Sequence, residues 1–377
     1  MTDADVAVVG AGVVGCAAAL ALARRGASVV VLEAEPEPGL AASGTNSGIL
    51  HTGFDSTPGQ LETELILRSA ALRDPLLEAL GVPVLRCGAL LRPLRDEQRE
   101  AVVALATGAR RNGVEVRLRE HDGALEVPGE AVTDPVRYTL ALAAAAGRHG
   151  AELRTAASVT AIEPDGSGLA VADAGGGRVR CRVVVNCAGL RADEVARLAG
   201  DDSFEIYPRK GEFLVFEPPD DEPLDRILLP VPSKRTKGML VFPTIDGHVI
   251  AGPTAVDGDD KDDWSVRPEA RDEILDSVIP LWPALEGKEP VAAYAGLRPA
   301  GRGVNYAIGV SAACAGLVNV AAIRSTGLTA SLGIAEHVCG IVEDLGLPLA
   351  PERPLDPAPA AALSGPWWRR TAERRAR

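Results

Sequence analysis

The strongest constraint on what this chain can fold into sits at its start. Residues 4–9 form a short apolar run suited to a buried parallel strand. Gly10-Ala11-Gly12-Val13-Val14-Gly15 follows directly and opens a stretch rich in Ala and Leu, from about Val13 to Arg25, that reads as a helix stopped by Gly26. Gly10 permits the tight turn, Gly12 lets the backbone come close to a diphosphate, and Gly15 lets helix and strand pack together. Val14 lies in the first helical turn, where free N–H groups and the positive end of the helix dipole attract phosphate. A second strand, 28–33, ends in Glu33, 18 residues after Gly15. An acid there accepts hydrogen bonds from an adenosine ribose. Strand, glycine turn, helix, strand and acid together specify a dinucleotide site in a parallel α/β sheet. They do not choose between flavin and nicotinamide.

The rest of the chain carries both helical and strand patterns. Residues 36–53 are rich in Pro, Gly, Ser and Asn and read as a loop. Leu61, Leu65, Leu72, Leu76 and Leu80 recur near a helical period, and strand–helix–strand alternation continues to about residue 120. A helix at about 135–149 leads into strands near 151–163, a hairpin at 168–182 around three successive glycines, and a buried strand at 182–189. Short strands dominate 204–310, with one helix near 267–280, and a final helix runs from about Leu328 to Leu345. The strand after the hairpin and the last helix resume the style of the first segment. The nucleotide domain is therefore expected to be discontinuous, made of 1–85, 135–200 and 300–346. A largely antiparallel substrate domain would occupy 86–134 and 201–299, and 347–377 reads as a Pro/Ala-rich linker with a basic tail.

A length of 377 residues suits two interleaved domains. The net charge of −13 argues against a general nucleic-acid binder, while a local cationic pocket for a small anion remains compatible with it. None of the six cysteines forms a C-x-x-C pair, so zinc and iron–sulfur sites lack their usual spacing, and most of them lie in apolar runs. The first residues carry no basic leader, and no apolar run reaches a membrane-spanning length. A cytoplasmic protein in a reducing compartment is expected. The end of the chain, WWRRTAERRAR (367–377), offers one alternative, peripheral contact with the inner face of a membrane, but packing on the body or a frayed tail is preferred.

Four further runs bear a family resemblance. AASGTNSGILHTG (41–53), NCAGLRAD (186–193), GLRP (296–299) and IRSTGLTAS (323–331) resemble segments of the D-amino-acid-oxidase-like superfamily of FAD-dependent oxidoreductases. PRKGEF (208–213), VPSKRTKGMLVFPT (231–244) and GPTAVDGDDKDD (252–263) resemble one branch of it, the anaerobic-type glycerol-3-phosphate dehydrogenases. The L-2-hydroxyglutarate oxidases are similar in the NSG-x-x-H-x-G loop. The resemblance implies FAD as cofactor and a Rossmann-like FAD-binding domain of the glutathione-reductase type, with an inserted, mainly antiparallel α+β substrate domain. Many members of that branch continue into a cysteine-rich 2Fe–2S module that is not among these residues. The electron acceptor is therefore open between oxygen, a quinone and a separate iron–sulfur subunit.

The resemblance also assigns roles. Ser43 would meet the diphosphate region, and Asn46, Ser47 and Gly48 the ring or ribityl chain. Val159 would meet adenine through its backbone, and Ala188 with Gly189 forms a second flavin-contacting turn. Arg324, Ser325, Thr326 and Gly327 open the last helix, with Leu328 and Thr329 in its first turn, and would oppose negative charge on the flavin. Oxidation of a secondary alcohol by flavin requires a hydride acceptor, a base for the hydroxyl proton and fixed positive charge for an anionic substrate. Arg298 is the first candidate for the anion. His51 is a candidate for flavin contact or for the base. Lys210 and Lys237 are candidate cations, with Lys234 behind them. The resemblance implies oxidation of a small anionic secondary alcohol, first of all glycerol 3-phosphate to dihydroxyacetone phosphate, by hydride transfer to flavin N5, with an L-2-hydroxy acid or an amine or amino acid as alternative substrates.

Overall fold

A computed structural model describes residues 2–219, 222–232, 238–357 and 363–375. Lys234 and Lys237 lie outside the described residues.

Two large sheets organise the chain. In the first, strand Thr2–Val9 is central. It pairs in parallel with Val29–Leu32 on one side and with Arg178–Asn186 on the other. Glu152–Arg154 extends the parallel order beyond Val29–Leu32, and Leu317–Ala321 beyond Arg178–Asn186. At the centre of the sheet residues 6–9, Val29–Leu32 and residues 183–185 are apolar and buried on both faces, as parallel sheets require, while the edge strand Glu152–Arg154 and the arginines at 178, 180 and 182 are polar and mostly exposed. The hairpin Val159–Asp165/Gly168–Asp173 joins the first half of Arg178–Asn186 antiparallel. Three helices cover one face: Val13–Arg24, Pro135–Arg148 and Gly327–Asp344. The alanines at 17–19 let them pack closely, with Tyr138, Leu142, Ile334 and Val338 filling the seam. Helix Leu61–Ala79 crosses the last helix at Gly333, where a Cβ would fall 2.2 Å from the Leu65 carbonyl oxygen.

The second sheet is mostly antiparallel. Its backbone is a ten-pair ladder between Ile206–Phe216 and Ala292–Gly301, running from Ile206 opposite Gly301 to Val215 opposite Ala292. Strands 249–252, 240–243, 227–230, 89–92, 125–127 and 117–118 follow outward. Strands Ile49–Leu50, Ala131–Thr133 and Val84–Leu85 form a third, small sheet.

Of the two readings preferred for 367–377, packing on the body holds for its described part and the frayed tail does not. Trp367–Arg375 is a helix docked on the body. Trp367 meets Tyr294 edge-on at 5.6 Å between centroids, and Trp368 meets His248 at 4.9 Å. Both indoles are buried, and the Thr371 hydroxyl, one turn on, donates to the Gly44 carbonyl at 2.7 Å. Burial of the two indoles, rather than the charge of the arginines, holds this helix on the body. Among the described residues no helix is long and apolar enough to cross a membrane.

Candidate active site

The glycine turn is as tight as its sequence implies. Gly10 has φ +98°, and a Cβ there would lie 2.6 Å from the Cys187 carbonyl oxygen. A Cβ on Gly15 would lie 2.0 Å from the Gly10 carbonyl oxygen, so any side chain would force strand and helix apart. The helix starting at Val13 has no side-chain cap at Gly12 and no acid in its first turn. Its positive end stays available to an anion. The Ser43 hydroxyl accepts from the Val13 N–H at 2.9 Å and fixes the following loop over the turn. Glu33 takes the N–H groups of Ala11 at 2.5 Å and Glu35 at 2.9 Å, and burial pushes its carboxyl pKa up.

A cavity of about 400 Å³ starts at this turn and runs along the carboxyl ends of the parallel strands. One end is walled by Glu33, Ala34, Glu35, Ala157, Ser158 and Val159. The middle is walled by Gly10, Gly12, Val14, Ser43, Ala188 and Gly189. The other end reaches Asn46, Pro299, Ile323, Arg324, Gly327 and Leu328. There the helix Gly327–Asp344 begins, again with no side-chain cap and no acid in its first turn. The long cleft is thus bracketed by two helix N-termini.

Gly15, Ser47, Gly48 and Thr329 are not on its wall. Gly48, at φ +78°, gives room to the Thr133 carbonyl, which a Cβ would approach to 2.3 Å. The Ser47 hydroxyl accepts from the Ile49 N–H at 3.4 Å, and the Thr329 hydroxyl accepts from the His51 N–H at 3.1 Å. These residues shape the loop from behind. Arg324, at φ +53°, donates its N–H to the Pro299 carbonyl and its guanidinium to Glu62 at 3.3 Å.

Lys261, Asp262 and Trp264 also wall the cavity, residues to which the sequence assigned no role. Lys261 reaches Asp193 at 2.7 Å and Glu194 at 2.9 Å, while Asp262 pairs with Arg191 at 2.7 Å. These ion pairs tie the substrate domain across the cleft to the turn after NCAG. Lys210 belongs to the same strap. Its ammonium, buried, pairs with Asp263 at 2.6 Å and donates to the Ser265 carbonyl at 3.0 Å. The expectation that Lys210 faces substrate is therefore corrected: its charge is neutralised within the protein.

Arg298 differs. It is half-buried, and among the described residues no carboxylate lies within ion-pair distance. Its guanidinium donates only to backbone carbonyls, Thr254 at 3.2 Å, Arg209 at 3.4 Å and Lys210 at 3.5 Å. Burial and the neighbouring Arg209 push its pKa down to about 10, which leaves it charged at neutral pH. Tyr294, Gly296 and Arg298 share one strand face. That face meets the loop over the glycine turn, since a Cβ on Gly296 would lie 2.9 Å from Thr45.

His51 directly follows the short strand Ile49–Leu50. Its Nδ1 lies 2.9 Å from Oε2 of Glu130, a residue the sequence reading passed over. Arg73 donates to the His51 carbonyl at 2.9 Å.

A family model for FAD-dependent oxidoreductases matches residues 5–341. The chain belongs to this family. Among similar proteins, a glycerol 3-phosphate dehydrogenase from Caloramator mitchellensis is 29% identical over 356 residues, covering 90% of this chain and 74% of that protein. The mitochondrial L-2-hydroxyglutarate dehydrogenase of Mus musculus is 30% identical over 277 residues, 66% of this chain and 60% of that one. A solved structure of dithionite-reduced L-α-glycerophosphate oxidase from Mycoplasma pneumoniae with FAD bound superposes with a TM-score of 0.88 at 24% identity. The match covers 96% of this chain and all of that one.

The FAD-dependent oxidoreductase fits its cofactor in each part of the cleft. The diphosphate has bare backbone and a helix end at Gly10–Val14, where side chains would collide with main chain. The carboxylate of Glu33 at one end would suit the adenosine ribose, and the helix N-terminus at Gly327 at the other would suit the flavin. Two-ended anion stabilisation along one cleft suits a dinucleotide whose diphosphate is anionic and whose flavin ring gains negative charge on reduction.

Proposed function

We propose that this FAD-dependent oxidoreductase oxidises a small anionic secondary alcohol, with glycerol 3-phosphate as the first candidate and L-2-hydroxy acids as the second. The observation that carries the reading is Arg298, a half-buried cation two residues along the strand from Gly296, which meets Thr45, with no acid in ion-pair reach among the described residues. A guanidinium so held keeps two N–H groups for a bidentate grip on phosphate or carboxylate. The similar glycerol 3-phosphate and L-2-hydroxyglutarate enzymes both act on secondary alcohols bearing an anionic group, which agrees with that grip.

FAD supplies the hydride acceptor for the carbinol carbon. The chain's own residues do the rest. Arg298 anchors the anionic end and so fixes which carbon faces the cofactor. His51 accepts the hydroxyl proton as the carbonyl forms. The helix end at Gly327 opposes negative charge at the flavin end of the cleft. The strap at 261–264 walls the cleft and limits the entry of water.

Anaerobic mixing of the purified holoenzyme with glycerol 3-phosphate, L-2-hydroxyglutarate or glycine tests the reading. Glycerol 3-phosphate is expected to bleach the FAD absorption band. Bleaching by L-2-hydroxyglutarate alone moves the assignment to the second candidate. Bleaching by glycine alone would refute an alcohol substrate.

A further inference from the structure

We propose that Glu130 is a positioning residue that holds His51 in the one tautomer able to accept the substrate's hydroxyl proton. The inference rests on the reading of His51 as proton acceptor given above, and it concerns a residue that neither the glycine motif nor the cofactor cleft contains.

The meeting of the two residues follows from strand register. Ile49 pairs with Val132 and Leu50 with Ala131 in an antiparallel ladder. The next step along that ladder brings His51 opposite Glu130. Glu130 is fully buried. Its Oε1 accepts from the Thr52 N–H at 2.6 Å and the Thr52 hydroxyl at 2.8 Å, and its Oε2 faces His51 Nδ1 at 2.9 Å. Arg73 lies behind the pair, donating to the His51 carbonyl at 2.9 Å and the Gly129 carbonyl at 3.4 Å. Asp74 stands 3.7 Å from Arg73 and pairs with Arg86, and among the described residues Glu130 is the charged group that contacts the imidazole.

A buried acid is retained only when donors surround it, because an unpaired carboxylate in the interior is strongly unfavourable. The two Thr52 donors are satisfied equally by a carboxylate or by an amide oxygen. The imidazole is not. A carboxylate without a proton can only accept, so Nδ1 carries the hydrogen, and in the neutral imidazole Nε2 then keeps its lone pair. Among the described residues Nε2 has no protein hydrogen-bond partner. When the substrate O–H bond breaks, its proton goes to Nε2. The oxygen's electron pair closes the carbonyl while the hydride leaves carbon for the cofactor. The imidazolium so formed keeps its Nδ1–H on Glu130, whose negative charge stabilises it.

The test uses the intact holoenzyme. Imidazole 15N spectra of the wild type, with the His51 signal identified by its loss in His51→Gln, are expected to show the proton on Nδ1. Glu130→Gln is expected to shift the proton wholly or partly to Nε2. It should slow substrate-dependent bleaching about 10–100-fold, with KM and bound FAD changing less than about threefold. His51→Gln/Glu130→Gln should be no slower than His51→Gln alone, because Glu130 acts only through the imidazole. Glu130→Asp keeps the charge and should keep the Nδ1–H tautomer, which covers the case in which the glutamine variant does not fold. A wild-type proton on Nε2, or fully additive losses in the double variant, would overturn the proposal. If no compound in the panel bleaches the flavin, the alcohol reading fails while the tautomer spectra still decide the role of Glu130.

Discussion

Gly211 and Arg298 stand diagonally across paired strands with no room between them for a methyl group. A Cβ at position 211 would fall 2.2 Å from Nη2 of Arg298. Glycine at this point of the PRKGEF run is what lets the guanidinium lie flat against the ladder, donating to the Thr254 carbonyl.

Gly211→Ala should therefore displace Arg298 and raise KM for an anionic substrate with little change in FAD content. Arg298→Ala should lose about 2–4 kcal/mol of substrate binding. The two changes together should be no worse than Arg298→Ala alone. Steady-state kinetics with the substrate found in the anaerobic panel checks all three. Kinetics of Arg298→Ala that match the wild type would remove Arg298 as the anion anchor.

Gly15→Ala should give colourless protein. Its Cβ would meet the Gly10 carbonyl oxygen, a backbone atom that cannot rotate away. The turn that receives the diphosphate would have to open. The ratio of flavin to protein absorbance after purification measures this, and a yellow variant with normal flavin content would contradict the diphosphate assignment.

The docked C-terminal helix should matter for both stability and cofactor retention. Trp367→Ala removes a buried indole packed on Tyr294 and should destabilise the protein by about 3–5 kcal/mol in denaturant melts. Thr371→Val removes the donor to the Gly44 carbonyl, in the loop whose Ser43 braces the glycine turn. It should speed FAD release while lowering stability by only about 0.5–1.5 kcal/mol. Stopped-flow release of FAD separates the two effects.

The Lys210–Asp263 pair has a defined pH window. Hydrogen bonds from Lys210 and Ser265 hold the Asp263 carboxyl down at about 2, below its ordinary value of 3.8. A depressed carboxylate stabilises the fold fully above its unfolded pKa, and that contribution is lost as pH falls through the folded pKa. Asp263→Asn should thus lower the melting temperature equally at pH 5 and pH 8, with the difference shrinking from pH 4 toward pH 2. Asp263 is nearly half exposed, so solvent screening should keep the effect below about 1 kcal/mol. A difference that grows below pH 4 would contradict the assignment.

Legibility in the sequence followed distance along the chain. The glycine turn, Glu33, the hairpin around the three glycines and the helices at 13–24, 135–148 and 327–344 were readable because each is set by residues a few positions apart. Side-chain partnerships were not. Lys210 looked like a free cation in a run specific to its branch, yet its partner Asp263 lies 53 residues away. Glu130 sits 79 residues from His51, in a stretch with no motif, and only a two-pair ladder brings them together.

The sequence by itself determined where a dinucleotide's phosphates can rest, because glycine conformation and helix dipoles are local properties. Only the tertiary structure decided which charges remain free to meet a substrate. Among the described residues Arg298 has backbone carbonyls as its hydrogen-bond partners and no ion-paired acid, while Lys261 and Arg191 are paired with acids across the cleft and Lys210 within the strap. Whether a cation is paired depends on acids brought near it by folding, and no residue type or spacing carries that information.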